Sequence, residues 1–284
     1  MQVLVTGAAG KLGRILRIVW LQTGALGCSP VWTVRQPVFP DDVTWDILSG
    51  PVPLIAKGAV ILHLAGVLRG DAASLAANTA LALKVCKAAQ KAGASHVFLA
   101  SSAAVYGASD GEHTEEKRPC PQSDYGQAKL NMERNALYWA HNAGANAPGV
   151  TCLRIGNVLG ADMLLARAVR DQEILLDPVP GHGNGPTRSY IGPHAFAQVL
   201  ARLVLRAVAG ASLPEILNIA APEPVYMADL LLAARQPFRF GPPNSDTIPS
   251  VHISNARLAA LAPLVSTPAK AMVADWQRLL AYPT

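Results

Sequence analysis

Cysteine is scarce in this sequence, with only four residues in 284, and no two of them form a CxxC pair. This spacing excludes the familiar zinc and dithiol motifs and favours reduced thiols in the cytosol. Histidines are equally uninformative about metals, because no pair has the spacing of metal ligands. We therefore expect no metal site, and we place four histidines on loops or on the surface: His113, His141, His182 and His194.

No uninterrupted apolar run reaches the ~18–20 residues of a membrane span. A folding motif begins close to Met1, which disfavours a secretory signal, so we expect a cytoplasmic protein with no membrane partner. Charged residues make up 15% of the chain and hydrophobic residues 51%, which indicates a well-filled core. The net charge of +5 comes from scattered basic residues. It suits an anionic cofactor or substrate, and we expect no nucleic-acid partner.

Short apolar runs alternate with longer helical patterns through the first half of the chain. This alternation predicts a parallel sheet covered by helices on both faces. The predicted strands are Gln2–Thr6, Pro30–Arg35, Val43–Asp46, Ala59–Leu64, His96–Ala100 and Val150–Ile155. The predicted helices are Gly10–Gln22, Ser74–Lys91 and Asp124–Asn142. Right-handed crossovers then give a doubly wound, Rossmann-like α/β fold.

The pattern loosens after Gly156, where prolines divide the chain into short pieces. We predict a loop at Gly181–Pro186, a helix at Pro193–Ala209 and a strand at Glu215–Ala220. The chain is therefore divided into a Rossmann-like domain over residues 1–156 and a smaller, irregular C-terminal lobe over residues 157–284. Segments near residues 187–220 return to the sheet in this interpretation.

A glycine-rich segment, TGAAGKLG, follows the first predicted strand and opens the first helix. Gly7, Gly10 and Gly13 allow a tight turn and let backbone N–H groups approach a pyrophosphate at the positive end of the helix. The spacing is GxxGxxG rather than GxGxxG, and a tight turn without a ligand is the alternative. Its place between a strand and a helix favours a dinucleotide, with residues 1–156 as the domain that binds it.

Arg35 stands at the end of the second predicted strand, where an acid holds the ribose 2′-hydroxyl in NAD-specific sites. A guanidinium instead matches the oxygens of a 2′-phosphate, and Arg14 in the first helix is placed to assist. We therefore expect NADP as the preferred cofactor, with NAD as the alternative. A solvated Arg35 is the competing interpretation. Asp41 and Asp42 can replace the missing acid and restore NAD binding only if the loop between them and Arg35 folds back.

Tyr125 and Lys129 lie four residues apart and therefore on one face of a helix. A phenol of ordinary pKa (~10) is a poor base at neutral pH, and a neighbouring cation lowers that pKa. Ser102 follows the fifth predicted strand, at the edge where open α/β sheets bind ligands. Its hydroxyl can hydrogen-bond a substrate oxygen while Tyr125 moves the proton. These three motifs in this order, a glycine loop, a strand-end serine and YxxxK, are a more specific signal of function than any one of them alone.

These motifs resemble the extended short-chain dehydrogenase/reductases of the NAD-dependent epimerase/dehydratase family. The resemblance is carried, in order, by TGAAGKLG, HLAG, SSAAVYG, YGQAK, LRIGNVLG, GNGPTRSYI and VHISNARL. It implies that Tyr125 is the acid/base, that Lys129 is its pKa partner and a ribose ligand, and that Ser102 donates to the substrate oxygen. The C-terminal lobe is then the substrate-binding lobe.

Together, the residue patterns and the resemblance give a set of candidate ligands. The candidate cofactor ligands are Gly7, Gly10, Lys11, Leu12, Gly13, Arg14, Arg35, Asp46, Ile47, Leu64, Ala65, Gly66, Asn78, Tyr125 and Lys129. The resemblance implies that Asp46 and Ile47 hold the adenine amine. It also implies substrate contacts by Ser102, Asn157 and Arg188, the last two at the phosphate of a nucleotide sugar. The outer faces of the helices 74–91 and 124–142 are expected to pair in a homodimer.

The function implied is NAD(P)-dependent hydride transfer at a secondary alcohol or ketone, by an epimerase or a dehydrogenase acting on a sugar or nucleotide sugar. The alternatives are a reductase or dehydrogenase of a small carbonyl compound or uronic acid, and a non-catalytic cofactor-sensing protein. A sensor has no need of Ser102, Tyr125 and Lys129 together. We expect no dehydratase, because Ala103 and Ala104 occupy positions where similar sugar dehydratases need an acid pair.

One further segment departs from the family pattern. Gly192-Pro193-His194 stands where the family usually has Val-Asp-Asp. We therefore expect the packing around this segment to differ from that of the family.

Overall fold

The computed structural model describes residues 1–108, 111–165, 173–179, 183, 185–244 and 247–282. Within these ranges the chain forms fifteen strands and seven helices. The strands are β1 (Gln2–Thr6), β2 (Ser29–Val34), β3 (Val43–Thr44), β4 (Val60–His63), β5 (His96–Ser102), β6 (Glu112–His113), β7 (Gly149–Ile155), β8 (Asn157–Val158), β9 (Ile174–Leu176), β10 (Thr187–Arg188), β11 (Tyr190–Ile191), β12 (Ile216–Ile219), β13 (Val225–Tyr226), β14 (Phe238–Phe240) and β15 (Ser250–Ile253). The helices are α1 (Lys11–Thr23), α2 (Ala72–Ala92), α3 (Asp124–Asn142), α4 (Pro193–Val208), α5 (Met227–Ala234), α6 (Ala256–Leu261) and α7 (Ala269–Leu280).

Seven strands form one sheet in the order β12-β7-β5-β4-β1-β2-β3. All of its strand pairs are parallel. The chain starts at β1, runs outward to β3 and then continues on the other side of β1 at β4, so the strand order reverses between β1 and β4. The predicted doubly wound α/β fold is confirmed, and ligands of such sheets bind at this reversal point.

Successive side chains of the central strands pack into different layers. Val3 and Val5 of β1 belong to a buried cluster formed with α1 and α4. Leu4, between them, belongs to the cluster formed with α2 and α3. Because neighbouring residues of a strand point to opposite faces, an unbroken apolar strand must be covered on both sides. The short β-branched and apolar runs of the sequence therefore fold as central strands.

The C-terminal part of the chain forms a third buried cluster around β9, α5 and α7, which includes Leu176, Leu231 and Met272. Its strands are short. Three of them form a four-stranded sheet with β6 from the first half of the chain, in the order β13-β10-β15-β6, and the others lie in two further pairs. Helix α4 packs on α1, and β12 pairs with β7 in the large sheet. The division into domains at residue 156 stays a prediction.

Most predicted element boundaries lie within one or two residues of the observed ones, and two differences affect the site. Strand β5 continues to Ser102 because Ser101 and Ser102 still pair with β7. Strand β3 ends at Thr44 rather than Asp46, because the Asp46 carboxylate accepts hydrogen bonds from the following turn. The predicted loop at residues 181–186 lies largely outside the described residues. Among the described residues, no helix is both long and apolar enough to cross a bilayer.

The prediction that His113 lies on a loop or on the surface is wrong. His113 is buried in β6, and its ring stacks on Tyr106 with the ring centres 5.0 Å apart. Burial lowers the pKa of His113 and so favours its neutral imidazole in this core. His141 is exposed on α3, His194 is half-buried in the first turn of α4, and His182 lies outside the described residues.

Candidate active site

Many of the predicted site residues follow the carboxyl ends of six parallel strands, whereas Asn78 lies on α2 and Tyr125 and Lys129 lie on α3. The glycine loop follows β1, Arg35 follows β2, and Asp46 lies just beyond β3. Leu64–Gly66 follows β4, Ser102 ends β5, and Asn157 lies just beyond β7. Because the strands are parallel, these ends all lie at one edge of the sheet. The fold therefore brings together residues that are more than one hundred positions apart.

Gly7 adopts a left-handed backbone conformation, with φ of +73°. A side chain there would place its Cβ 2.5 Å from the backbone nitrogen of Ala65. Gly13 is equally crowded, because a Cβ there would lie 2.5 Å from the Gly7 carbonyl oxygen. These two glycines allow β1, α1 and the loop after β4 to approach each other closely. Leu64–Gly66 and the glycine loop are thus direct neighbours.

The N-terminus of α1 fits an anionic group. Its N-cap residue, Gly10, supplies no side-chain cap, and no acidic residue lies in the first turn. A Cβ at Gly10 would meet only the Gly7 carbonyl oxygen, at 3.1 Å, so there is space on its outer side. Lys11 and Arg14 are exposed beside it, whereas Leu12 packs partly against the core. Free N–H groups and nearby cations are the donor set that a pyrophosphate needs.

Ser102 and Tyr125 lie close enough for a hydrogen bond between their side chains. The approach depends on Gly126, since a Cβ there would lie 2.5 Å from the Ala104 carbonyl oxygen. Ser123 caps the N-terminus of α3 by accepting from the Gly126 N–H. Helix α3 therefore begins directly against the turn that follows Ser102. The structure thus places the strand-end hydroxyl of Ser102 near the phenol of Tyr125.

The pKa of Tyr125 is not lowered in the structure, contrary to the prediction made from the nearby Lys129. Burial raises the pKa of Tyr125, and the hydrogen bond with Ser102 counteracts part of that rise. The ammonium of Lys129 lies 5.9 Å from the centre of the Tyr125 ring and donates to the Ala100 carbonyl, with N–O 2.8 Å. Because the ammonium is directed to the sheet backbone, desolvation of the phenol outweighs its attraction to the cation.

Lys129 itself is buried, and burial lowers its pKa to about 8. A Cβ at Gly66 would lie 3.1 Å from its Nζ and 2.8 Å from Asn78 Oδ1, so both side chains reach the loop after β4. Asn78 holds that loop by accepting from the Val67 N–H and donating to the Val67 carbonyl. Asn78 thus shapes the candidate cofactor site through the backbone of this loop.

On the predicted adenosine side, Arg35 is exposed. Asp46 is also exposed, and hydrogen bonds with Ser49 and Leu48 are the main causes that lower its pKa, with a smaller contribution from Arg35. Ile47 is buried in the core under α2. These residues occupy the predicted edge of the sheet.

The loop between β2 and β3 folds back onto α1. Asp41 and Asp42 both form ion pairs with the buried guanidinium of Arg17. That guanidinium also lies 4.9 Å from the Trp32 ring centre and 4.4 Å from that of Phe39. The two carboxylates that were considered as ribose ligands are therefore engaged with Arg17.

Ser102, Asn157 and Arg188 line one cavity of about 440 Å³. The cavity extends from the turn after β5 to the C-terminal strands, so these three predicted substrate ligands face one space. A second cavity of about 340 Å³ adjoins Arg188 and is lined mainly by apolar side chains, among them Leu176 and Met227. Burial lowers the pKa of Arg188, whose Nη1 donates to the Thr187 carbonyl.

Sequence reasoning missed a buried polar cluster behind this edge of the sheet. Glu133 on α3 accepts from Ser101 on β5 and from Arg154 on β7. Tyr106 stacks near the Arg154 guanidinium and donates to Asn218 on β12. Two signals in the sequence pointed to it: an arginine inside the apolar strand VTCLRI, and a glutamate four residues after Lys129.

The first turn of α4, at Gly192-Pro193-His194, packs against α7. Asp275 on α7 accepts from the backbone N–H of His194 and also contacts its imidazole Nδ1. A carboxylate from a distant helix thus binds the N-terminus of α4, where the sequence has no acid of its own.

Comparisons with known proteins support this description. A model of the NAD dependent epimerase/dehydratase family matches residues 3–220, and no curated protein matches significantly. UDP-glucose-4-epimerase from Stenotrophomonas maltophila, with bound NAD and formylated UDP-arabinopyranose, is 20% identical, with a TM-score of 0.80 and 99% of each chain covered. MoeE5 with UDP-glucuronic acid and NAD is 23% identical, with a TM-score of 0.77, 98% of this chain covered and 99% of MoeE5. TunA, an NAD-dependent NDP-hexosamine 5,6-dehydratase, is 17% identical, with a TM-score of 0.75, 100% of this chain covered and 99% of TunA.

Proposed function

Since the chain belongs to the NAD-dependent epimerase/dehydratase family, we propose that it is an enzyme that binds a nicotinamide dinucleotide and moves a hydride at a secondary alcohol carbon of a nucleotide sugar. One observation carries the proposal. Ser102, which lies near enough to Tyr125 to lower the pKa of its phenol, shares a cavity with Asn157 and Arg188. The cavity thus joins a serine hydroxyl beside the phenol, suited to proton transfer, with a half-buried cation suited to a phosphate.

The glycine loop and the N-terminus of α1 would hold the pyrophosphate, and Lys129 would hold the nicotinamide ribose. The crowding at Gly7 and Gly13, together with the free space at Gly10, supports this arrangement. The nicotinamide, when bound, supplies a hydride acceptor that can later return the hydride. Asp46 and Ile47 would lie on the adenine side.

Tyr125 would accept the proton of the substrate hydroxyl at its phenolic oxygen and return it in the reverse step. Burial of Tyr125 disfavours the phenolate, so a positive charge close to the phenol assists proton removal. Lys129 supplies one such charge. Ser102 would hydrogen-bond the same substrate oxygen and fix its distance from Tyr125.

Arg188 and Asn157 would hold the diphosphate of the substrate. Structures of similar fold contain UDP-glucuronic acid and UDP-arabinopyranose derivatives beside NAD, which supports a nucleotide sugar for this chain. Epimerisation is the proposed reaction, with release of an oxidised or reduced product as the alternative. The likeness to a dehydratase favours neither reaction. Elimination of water is disfavoured, because Ala103 and Ala104 line the cavity and neither supplies a carboxylate.

Similar structures hold NAD, whereas the exposed Arg35 is the reason to propose NADP as the preferred cofactor. The homodimer through α2 and α3 also stays a proposal.

The proposed function is tested by incubating the purified protein with NAD or NADP and a panel of UDP-hexoses and UDP-uronic acids. We expect one nucleotide sugar to be converted into its epimer without net change in the reduced cofactor. Net reduction of the dinucleotide, matched by an oxidised sugar, would favour the dehydrogenase alternative. Cofactor binding without conversion of any panel member would contradict the proposed substrate class.

A further inference from the structure

Glu133 is the centre of a buried cluster that connects α3 with two strands of the large sheet. Its exposed fraction is 2%, and that of Arg154 is 4%. Ser101 donates to Glu133 Oε1 with the oxygens 2.5 Å apart. Arg154 donates from Nη2 to Oε2 at 2.8 Å and from Nε to Oε1 at 3.1 Å. Both carboxylate oxygens are therefore bound to groups on neighbouring strands.

Two members of the cluster, Ser101 and Glu133, lie on the same elements as residues of the candidate site. Ser101 precedes Ser102 on β5, so the two hydroxyls share one stretch of backbone. Tyr125, Lys129 and Glu133 follow each other at intervals of four along α3, which puts them on one side of the helix. Any shift of α3 along the sheet would therefore move the phenol and the ammonium together, and Glu133 is placed to prevent it.

Stability alone does not explain a buried charged cluster. Removing two charges from water costs several kcal/mol per ion, and apolar residues of similar volume are often as stabilising. A charged pair does, however, require one geometry, because its partners must meet at hydrogen-bond distance. The cluster is thus suited to fixing the register of α3 against β5 and β7.

Glu133 also acts on the charge of Lys129. Burial lowers the pKa of Lys129 to about 8, while Cys152 and Glu133 raise it. Burial raises the pKa of the Cys152 thiol well above its usual range, so this thiol is uncharged at neutral pH. Of these two neighbours, Glu133 is therefore the one that can stabilise the ammonium.

The other titratable groups near Lys129 give it no stabilising charge. Burial lowers the pKa of His63 on β4 to about 3, so its imidazole is neutral, and Nδ1 is hydrogen-bonded to Thr6. Burial raises the pKa of Tyr125, which keeps the phenol neutral. Arg154 carries a positive charge that Glu133 compensates through their ion pair.

We propose that Glu133 is a positioning residue, which with Ser101 and Arg154 holds α3 in the register that brings Tyr125 to Ser102 and the Lys129 ammonium to the Ala100 carbonyl. The roles of Tyr125 and Lys129 in this inference rest on the proposed function.

The first test is Glu133→Gln, which keeps the size of the side chain and removes its charge. We expect kcat to fall ~10²-fold, the order of loss that follows a small misplacement of reacting groups, with little change in KM. Lys129 should lose its proton at lower pH, because the raising effect of Glu133 is gone. The alkaline limb of the pH–rate profile should then move to lower pH. An unchanged limb and unchanged kcat would overturn the inference.

The matched control is Glu215→Gln, which removes a carboxylate paired with His141 at the exposed end of the same helix. It should leave kcat and the pH profile as in the wild type. A loss equal to that of Glu133→Gln would mean that any loosening of α3 has the same effect, and would contradict a specific role for Glu133.

A double variant, Glu133→Met with Arg154→Met, separates positioning from folding. We expect its melting temperature to stay within ~5 °C of the wild type, since apolar pairs replace buried ion pairs at little cost. Its kcat should still fall ~10²-fold, because the register is no longer fixed by paired charges. Wild-type kcat in this variant would overturn the inference. The double variant also tests the inference if the Glu133→Gln variant does not fold.

A ¹⁵N NMR titration of the Lys129 side chain distinguishes failure of this inference from failure of the proposed function, because it needs no substrate. A lower pKa of Lys129 in Glu133→Gln supports the inference even if no nucleotide sugar is converted. An unchanged pKa of Lys129 overturns the charge effect even if the wild type is an active epimerase.

Discussion

Arg35 is the side chain on which the choice between NAD and NADP depends most directly. It is exposed at the end of β2, where a ribose 2′ substituent is expected. Asp41 and Asp42 are bound to Arg17, so neither is free to repel a phosphate there. Asp46 is near enough for Arg35 to contribute to the lowering of its pKa. Asp46 therefore reduces, but does not cancel, the positive charge that Arg35 presents to a 2′-phosphate.

Arg35→Asp should weaken NADP binding ~10–100-fold while changing the NAD affinity little, since a charge-assisted hydrogen bond contributes ~1.5–3 kcal/mol. Dissociation constants for both cofactors, measured by calorimetry at one ionic strength, test this. Arg118→Asp makes the same charge change at another exposed position and should affect neither cofactor. An equal loss of both cofactors in Arg35→Asp would instead indicate that Arg35 stacks on the adenine.

For single residues, the sequence predicted that Tyr125 and Lys129 share one helix, but not the electrostatics around them. The interval between Tyr125 and Lys129 was sufficient to place them on one helix face, and α3 begins and ends at the predicted residues. The direction of the pKa shift of Tyr125 depends on how deeply β5 and α3 bury the phenol. That depth is a product of packing between distant segments, which residue spacing does not contain.

Among the elements, α1 carries the clearest functional geometry. Gly10 has φ −74° and ψ 169°, a conformation that any residue adopts, and a side chain there would have space on its outer side. A side chain at Gly10 would need only a small local adjustment at the Gly7 carbonyl oxygen, 3.1 Å from its Cβ, and would otherwise occupy the space at the helix N-terminus. Gly7 and Gly13 differ from it, because the backbone itself would obstruct a Cβ.

Gly10→Val should retain the fold and weaken dinucleotide binding ~10–100-fold, because it blocks the approach to N–H donors that each contribute ~1.5–3 kcal/mol. Calorimetry with NAD and NADP measures the loss, and the melting temperature checks the fold. Gly192→Val is the matched control, since Gly192 is the N-cap of α4 with φ −69° and ψ 154°. Equal dinucleotide affinity in Gly10→Val and the wild type would show that the pyrophosphate lies elsewhere.

The N-terminus of α4 shows that sequence patterns do not reveal which distant residue binds a helix end. The sequence indicated that Gly192-Pro193-His194 must pack differently from the family. It could not identify Asp275 as the carboxylate that binds there, because this residue is 81 positions away. Helix ends are satisfied by whichever group the tertiary structure brings near them.

For the molecule as a whole, the large sheet was predictable and the C-terminal lobe was not. Central strands are apolar along their length because both faces are covered, so β1, β4, β5 and β7 were identifiable from composition alone. In the lobe, β10 pairs with both β13 and β15 through two-residue contacts. Such short strands carry no alternating pattern, and their partners are fixed only by the packed core of the lobe.

The proposed function depends above all on Tyr125, which would transfer the proton beside Ser102 during hydride transfer. It is tested most directly by the turnover of Tyr125→Phe on the nucleotide sugar that the wild type converts. We predict a loss of ~10²–10⁴-fold, the usual contribution of a general acid–base group, with dinucleotide affinity unchanged. Tyr138→Phe, at a tyrosine of the same helix that is 73% exposed, should turn over as the wild type does. Near-normal turnover by a folded Tyr125→Phe variant would contradict the account.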